Sequence, residues 1–485
     1  MTSAKSSPLH WLIRGFVYIS AAWSFSYITA DPDLWGHIKF GGETWTLGHL
    51  PGTDTYSYTA FGQPWINHEW LTEIIFFLIY TVLDSTGLLA FKALLGIGIV
   101  HLMSKLYFDR EHNLAAYLIF FVLMIPVMAP GFMTRPHLMT FLFLSLFVAI
   151  LQKYFDGNER AIFWTPLLML AWVNCHGGVL AGMGLFGVVT GIEVLRTIAK
   201  KDSKGKPLLI AYALCWLAVL LNPYGYKLWV FFYHSLGTGR AIEEWEGIPI
   251  WSSYLWTLKT LTLLFIVSLF LPTKKRLWEI ALIAVAIYYG FKHQRHSVMI
   301  PIVMAPYLPM QISQMLRGWD FMPGFNRLSR GFKIAAYSVI IIFIGGYTYN
   351  LVDKYAGNNF KILVEPAAYP TYAVQFMIAN NIKGNILVPF DWGEYIIWKM
   401  PESKVSVDGR FRTVYPEEVL QQSLALSAGH ELGKEIITRY PTEIILTNRR
   451  ESAGPIIESI PAWRKIYIDK VSDIYIHETH PFWEK

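Results

Sequence analysis

Apolar runs of membrane-spanning length recur along most of the chain. They lie at 11–29, 87–107, 114–130, 137–152, 162–180, 179–197, 207–222, 254–271, 277–291, 298–315 and 332–351. A helix needs roughly 20 consecutive apolar residues to cross the hydrocarbon core. A further run at 70–83, WLTEIIFFLIYTVL, is short and contains Glu73, so it reads as a helix lying at the membrane interface. After about residue 352 the pattern changes. The strand-like runs NILVPF, KVSVDG, TEIILTN, RKIYID and DIYIHE are separated by helical stretches at 366–381, 416–438 and 453–460. Alternating strands and helices predict a small α/β domain. The expected architecture is an α-helical polytopic membrane domain over 1–351, with about 11 spans and a large first outer loop at 30–86, followed by an α/β domain over 352–485.

Composition agrees with the pattern. Of 485 residues, 54% are hydrophobic and only 16% are charged, against roughly 25% charged in an average soluble domain. That balance excludes a disordered chain and argues against an ordinary water-soluble enzyme. The net charge of +6 is no sign of nucleic-acid binding, because the basic residues flank the spans. They also orient them. With the N-terminus inside, the inner segments hold Lys5, Arg14, Lys105, Arg110, Lys153, Arg160, Arg196, Lys200, Lys201, Lys204, Lys206, Lys274, Lys275, Arg276, Arg317, Arg327, Arg330 and Lys333. Lys and Arg resist translocation, so this bias fixes the topology. Counting 70–83 as a span would reverse every later loop and put the 196–206 cluster outside. Ten more spans follow the first run, so it reads as a signal-anchor rather than a cleaved leader. The expected location is a bacterial cytoplasmic membrane, with a periplasmic C-terminal domain. Cys175 and Cys215 both sit in apolar runs and make neither a disulfide framework nor a zinc site.

This orientation puts almost every unusual polar cluster on the outer side. The first outer segment carries Asp31, Asp33, His37, Glu43, His49, Asp54, His68 and Glu69 among aromatic residues. Later outer turns bring Arg135 and His137 (MTRPHL), Asn174 and His176 (NCHGG), Asn222 (LNPYG), Glu243, Glu244 and Glu246, and His293, Arg295 and His296 (KHQRH). Charged groups at membrane depth are costly and face a cavity or a partner. Asp31, Asp33, His68, Arg135, His137 and Arg295 are therefore expected to line one outward cavity. Asp31 and Asp33 suit a divalent cation, or one base with one orienting partner; DPD is equally a good helix start. If a helix begins there, His37 shares a face with Asp33. Glu69 either caps the 70–83 helix or joins the site. Arg135 and Arg295 suit a phosphate or a carboxylate, or pair with an acid of the first loop. Asn174 and His176 also fit a helix-end hydrogen-bond cluster. In PFDWGEYIIWKMPESKVSVDGRF, Asp391 and Trp392 follow one strand, and Asp408 and Arg410 another. Such ends make either simple turns or one edge of a cleft.

No Walker loop, GxGxxG after a strand, HExxH, CxxC pair or GxSxG occurs. A nucleotide-driven pump and a standard serine hydrolase are thus poorly supported. A first span followed by a large outer loop with an acidic motif and a juxtamembrane helix resembles the GT-C superfamily of polytopic glycosyltransferases. The ordered set DPDLWGH, GHLPGTDTYSYT, NHEWL, TRPHL, NCHGG, NPYG and DWGEYIIW…VDGR is similar to a bacterial family of predicted membrane glycosyltransferases, over nearly the whole chain. The last region is also similar in layout to the WWDYG region of the oligosaccharyltransferase catalytic subunit, with DWG in place of DYG. The resemblance implies a GT-C-like fold and inverting transfer from a polyprenyl-phosphate-linked sugar at the outer membrane face. It implies Asp33 or Asp31 as catalytic base or metal ligand, with Mg or Mn as the possible metal. It implies Arg135, Arg295 and His296 as holders of the departing lipid phosphate. Asp54, His68, Glu69, His37, His137, Asn174, His176, Asn222, Asp391, Trp392, Asp408 and Arg410 complete the expected substrate-binding set. Two other classes remain open from the sequence: a transporter or flippase, and a silent scaffold that binds glycan.

Overall fold

The structure, a computed structural model, describes residues 7–111, 113–199, 204–236, 245–316 and 321–484. Lys5, Lys200, Lys201, Arg317, Glu243 and Glu244, used above, lie outside the described residues. The chain divides into two compact units. One comprises Met1–Tyr27, Leu88–Tyr226 and Gly237–Lys361; the other comprises Ile28–Gly87, Lys227–Leu236 and Ile362–Lys485.

The first unit is helical. Among the described residues, five helices are long and apolar enough to cross a membrane: Trp70–Phe108, which begins in the second unit, Leu114–Gly131, His137–Phe155, Val179–Ile198 and Arg330–Ala356. Gly205–Ala218 and Trp256–Leu269 are apolar but shorter. Length and composition thus support a multi-span protein without giving all eleven spans. The runs at 70–83 and 87–107 form two helices that meet at a sharp kink at Asp84, whose φ of 55° and ψ of −161° are not helical. The 298–315 run breaks into Met299–Met304 and Leu308–Met315. Pro306 and Pro309 explain the break, since proline lacks the N–H that a helix interior needs. The overlap of 162–180 with 179–197 resolves as Thr165–Cys175 and Val179–Ile198, joined by a turn at His176 to Gly178.

The second unit is built on a five-stranded sheet in the order β2-β1-β3-β5-β4. The strands are β1 (Asn385–Leu387), β2 (Lys404–Val405), β3 (Ile444–Asn448), β4 (Trp463–Ile468) and β5 (Ser472–His477). β1 runs parallel to β2 and β3, and β5 runs antiparallel to β3 and β4. Each of the five strand-like runs supplies one of these strands. β3 is a continuous apolar run because both its faces are covered, and Ile444, Ile445 and Leu446 are fully buried. The edge strand β4 stays partly exposed along its whole length.

The first loop completes this unit. Val405 donates its N–H to the Tyr56 carbonyl, and Tyr58 donates its N–H to the Val405 carbonyl. The exposed edge of β2 thereby gains a partner, as a strand edge requires. The Thr59 hydroxyl donates to the Ser406 carbonyl at 2.5 Å, and Thr29 bridges to Leu363.

Two glycines set how closely the helix Leu34–Leu47 approaches its neighbours. A Cβ on Gly41 would lie 2.1 Å from the Glu73 carbonyl oxygen, and one on Gly36 would lie 2.1 Å from Glu394 Oε2. Helix propensity alone would make Gly41→Ala stabilising by about 1 kcal/mol. The backbone contact predicts the reverse, a loss of about 1–3 kcal/mol from overpacking. Thermal unfolding of the purified variant decides the sign.

Candidate active site

The site is built where three segments of the second unit meet. Asp33 stands at the N-cap position of the helix Leu34–Leu47, in αR conformation, and makes no side-chain cap hydrogen bond. The turn-forming role falls to Asp31 instead: its Oδ1 accepts the Asp33 N–H at 3.1 Å, and it is buried. The helix-start reading of DPD therefore describes Asp31, and the Asp33 carboxylate is directed elsewhere. A Cβ on Gly409 would lie 2.3 Å from Asp33 Oδ1 and 2.7 Å from Glu394 Oε1. The bare Gly409 backbone thus lets a first-loop carboxylate and a carboxylate of the helix Gly393–Lys399 stand side by side.

One helical turn after Asp33, His37 turns its ring to Glu73. Nδ1 lies 3.0 Å from Glu73 Oε1, and Asn67 Nδ2 donates to Glu73 Oε2 at 2.5 Å. His37, Glu69 and Glu73 each offer a ligand atom, all within 4.8 Å of one another. Burial works against the imidazolium form of His37. The hydrogen bond to Glu73 and the charges of Glu69, Glu73 and Asp33 outweigh it and raise the pKa to about 9. The carboxylates thus hold a cation here even when it is only a proton.

Glu394 is 3% exposed, and its Oε2 has no hydrogen-bond partner among the described residues. Burial first, then the charges of Asp33, Asp408 and Glu73, push its carboxyl well above the usual range, against the pull of Arg410. An orphaned buried carboxyl is costly. Its cost is relieved by a proton or by a cation among the neighbouring carboxylates. One imidazole nitrogen and several carboxylate oxygens at this spacing fit a divalent cation such as Mg or Mn. The group that meets the spacing is His37, Glu69 and Glu73; the pair Asp31 and Asp33, expected as ligands from the sequence, is not in it.

Arg410 is held in a different arrangement. Its Nε and Nη2 donate to Asp408 at 2.9 and 2.6 Å, and Nη1 lies 2.7 Å from Asp54 Oδ1. The Tyr415 hydroxyl donates to Asp408 Oδ2 at 2.6 Å. Phe40, Tyr56 and Trp65 surround the guanidinium, with ring centres 4.9–5.2 Å from its central carbon. Asp54 also accepts the N–H groups of Tyr56 and Ser57 and the Ser57 hydroxyl. Asp54 and Asp408 are fully buried. This ion triad fastens the first loop to the segment after β2.

The remaining expected residues of this unit have mixed placements. Trp392 is buried and donates its indole N–H to the Ala368 carbonyl at 2.9 Å. Asp391 is exposed. His68 lies against the rings of Phe231 and Phe232.

Arg135, His137, Asn174, His176, Asn222, Arg295 and His296 belong to the first unit. Asn174 Nδ2 donates to the Leu170 and Leu221 carbonyls, and Asn222 Nδ2 to those of Val219 and Gly225. His176 Nδ1 accepts the Gly178 N–H and meets the Thr140 hydroxyl at 2.8 Å. These three side chains form helix-end clusters, which is the alternative the sequence offered for NCHGG. His137 meets the Gly131 carbonyl at 2.7 Å. Arg135 ends the turn before the helix His137–Phe155. Arg295 stacks 4.8 Å over Trp245, which also meets His293 and His296. Burial first, then Arg295 and His293, bring the His296 pKa down to about 4. It is therefore a neutral hydrogen-bonding group near neutral pH, whereas the sequence had offered it as a cation for phosphate.

Two central residues escaped the sequence reading. Glu73 stood out there only as a charge that shortened an apolar run, and Glu394 passed unremarked inside DWGEY. The usable signal for Glu394 was an acid two residues after a buried tryptophan, on a helix that follows a strand.

The sequence matches no protein-family model and no curated protein. Solved structures do resemble this fold. The oligosaccharyltransferase AglB of Archaeoglobus fulgidus, in complex with an inhibitory peptide and a dolichol-phosphate, matches with a TM-score of 0.60 and 11% identity, over 91% of this chain and 69% of that one. The oligosaccharyltransferase from the same organism tethered to an acceptor peptide containing the NVT sequon matches with a TM-score of 0.59 and 11% identity, over 98% and 75%. Arabinofuranosyltransferase AftD from Mycobacteria gives a TM-score of 0.48 at 12% identity, over 97% and 42%, too distant to weigh. The chain therefore has a GT-C-like fold, the fold of these archaeal oligosaccharyltransferases.

Proposed function

We propose that this protein is an inverting glycosyltransferase. It takes a sugar from a polyprenyl-phosphate carrier at the outer face of a bacterial cytoplasmic membrane, and eleven spans place its C-terminal domain in the periplasm. The observation that carries this reading is the placement of the Asp33 and Glu394 carboxyls side by side against the Gly409 backbone, with Glu394 Oε2 buried and without a hydrogen-bond partner among the described residues. The GT-C-like fold supports it, since the neighbours with this fold are named for peptide acceptors and dolichol-phosphate.

In this scheme Asp33 takes the proton of the acceptor hydroxyl as that oxygen bonds to the sugar's anomeric carbon. The bond from that carbon to the carrier phosphate breaks, and polyprenyl phosphate leaves with the bonding pair. The scheme calls for a cationic group to hold the departing phosphate; Arg135 and Arg295, expected in that role from the sequence, belong to the first unit. A divalent cation held by His37, Glu69 and Glu73 would add Lewis-acid charge. Asn67 orients Glu73, and Glu394 holds its carboxyl beside Asp33.

The test is transfer by purified protein from a synthetic polyprenyl-phosphate sugar, with mass spectrometry of lipids that co-purify. No carrier in the extract and no transfer to any offered hydroxyl acceptor would overturn the reading. A second measurement addresses the cation. Chelation is expected to lower transfer and Mn²⁺ to restore it. Glu73→Gln is expected to weaken Mn²⁺ affinity by roughly 10–100-fold or more. Full activity after exhaustive chelation would remove the cation from the scheme and leave the base in place.

A further inference from the structure

We propose that the cleft between the turn Glu159–Trp164 and the start of the helix Gly205–Ala218 binds the headgroup of an anionic phospholipid. The cleft has a volume of about 310 Å³ and is lined by Glu159, Arg160, Phe163, Lys206, Pro207 and Ile210. It lies within the first unit, and none of its lining residues is assigned to transfer.

Two features identify the occupant. Arg160 and Lys206 bring two positive heads to one cleft, and neither has a hydrogen bond or ion pair to another described residue. Two cations without an ion pair among the described residues suit an anion, and Arg presents the fork that phosphate oxygens match. The lining also carries exposed apolar side chains, Phe163 at 47% and Ile210 at 44%, and Leu167 (57%) and Leu217 (63%) are exposed on the helices Thr165–Cys175 and Gly205–Ala218. These side chains belong to a membrane protein, where bare leucine and phenylalanine face acyl chains rather than water. A soluble anion would leave them uncovered, whereas a phospholipid meets the cations with its phosphate and the apolar side chains with its tails. Basic clefts at the ends of membrane helices are a known type of lipid headgroup site. Glu159, also in the lining, lowers the net charge to +1 and offers an acceptor. It favours a headgroup with hydroxyls, such as phosphoglycerol, over one with a second phosphate.

The test is native mass spectrometry of the whole protein, titrated with phosphatidylglycerol or with phosphatidylcholine. Wild type is expected to retain phosphatidylglycerol preferentially. Arg160→Ala with Lys206→Ala is expected to lower that affinity by roughly 10–30-fold, the loss expected of two basic contacts near a lipid surface. Phosphatidylcholine retention should not change. Lys153→Ala with Lys274→Ala removes the same charge outside the cleft and should have no such effect. If the double variant does not fold, Arg160→Gln alone should lower phosphatidylglycerol retention, and unchanged retention in it would overturn the proposal. Equal losses in the two double variants, or full retention in the cleft variant, would overturn the proposal. So would displacement of the lipid from wild type by millimolar inorganic phosphate, which would identify a free-anion site instead.

Discussion

Asp33→Asn is expected to abolish measurable transfer, by about 10²–10⁴-fold, while the protein stays folded in the membrane. Asparagine keeps the size of aspartate and most of its hydrogen-bonding ability, so a structural role would survive the change. The structure sharpens the expectation. Asp33 makes no cap bond to the helix it precedes, and its Oδ1 is directed toward Gly409 beside Glu394. What asparagine cannot do is accept a proton or carry a negative charge. Transfer from a polyprenyl-phosphate sugar measures the effect, and thermal unfolding controls for folding. Asp31→Asn is the matched comparison. Asp31 holds the turn by accepting the Asp33 N–H, so its change should lower stability more than it lowers the rate per folded molecule. Near-normal rates in both variants would end the first-loop assignment and favour a non-catalytic glycan-binding scaffold.

Arg410→Leu is expected to be the most destabilising single change in the second unit, by about 3–5 kcal/mol. Arg410 is the cation of a buried triad, and removing it strands the Asp54 and Asp408 carboxylates with no counter-charge. Asp408 lends its charge and hydrogen bond to Arg410, and Tyr415 donates to the same carboxylate. Arg410→Lys should recover only part of the loss, because an ammonium cannot repeat the two parallel bonds of a guanidinium. Chemical or thermal unfolding of the purified protein measures both. Arg410 and Asp408 were expected in the substrate-binding set. A variant with wild-type stability and weakened substrate affinity would return Arg410 to that role.

The legible parts of the fold are those that repeat along the chain. Five alternating or continuous apolar runs after residue 352 became five strands, because strand patterning is local and a two-residue period leaves little ambiguity. The helices of the first unit were legible for the same reason, though their ends moved where Pro306, Pro309 and the turn His176 to Gly178 broke the backbone ladder. The site was legible only in part. DPD, HEW and VDGR were singled out because acids and histidines are conspicuous in a chain with few charges. Their division of labour was not. Asp54, Asp408 and Arg410 all looked like ligand-binding groups until their mutual distances showed an ion triad. Glu73 looked like a blemish in an apolar run until His37 was found facing it.

The sequence by itself determined the class of molecule: a helical membrane protein with a small α/β unit, and a first loop dense in acids and histidines. Hydropathy and period carry that information, because burial in lipid and pairing in a sheet each impose a spacing on neighbouring residues. Only the tertiary structure decided which acids share a site. Asp33, Glu73 and Glu394 stand far apart in the sequence, and no local rule links them. They are brought together because the first loop adds to the edge of β2, and because Gly36, Gly41 and Gly409 leave room for close approach. The meaning of a carboxylate depends on whether its neighbour is Arg410 or a second carboxylate. That is a matter of distances between segments, and it exists only after the chain has folded.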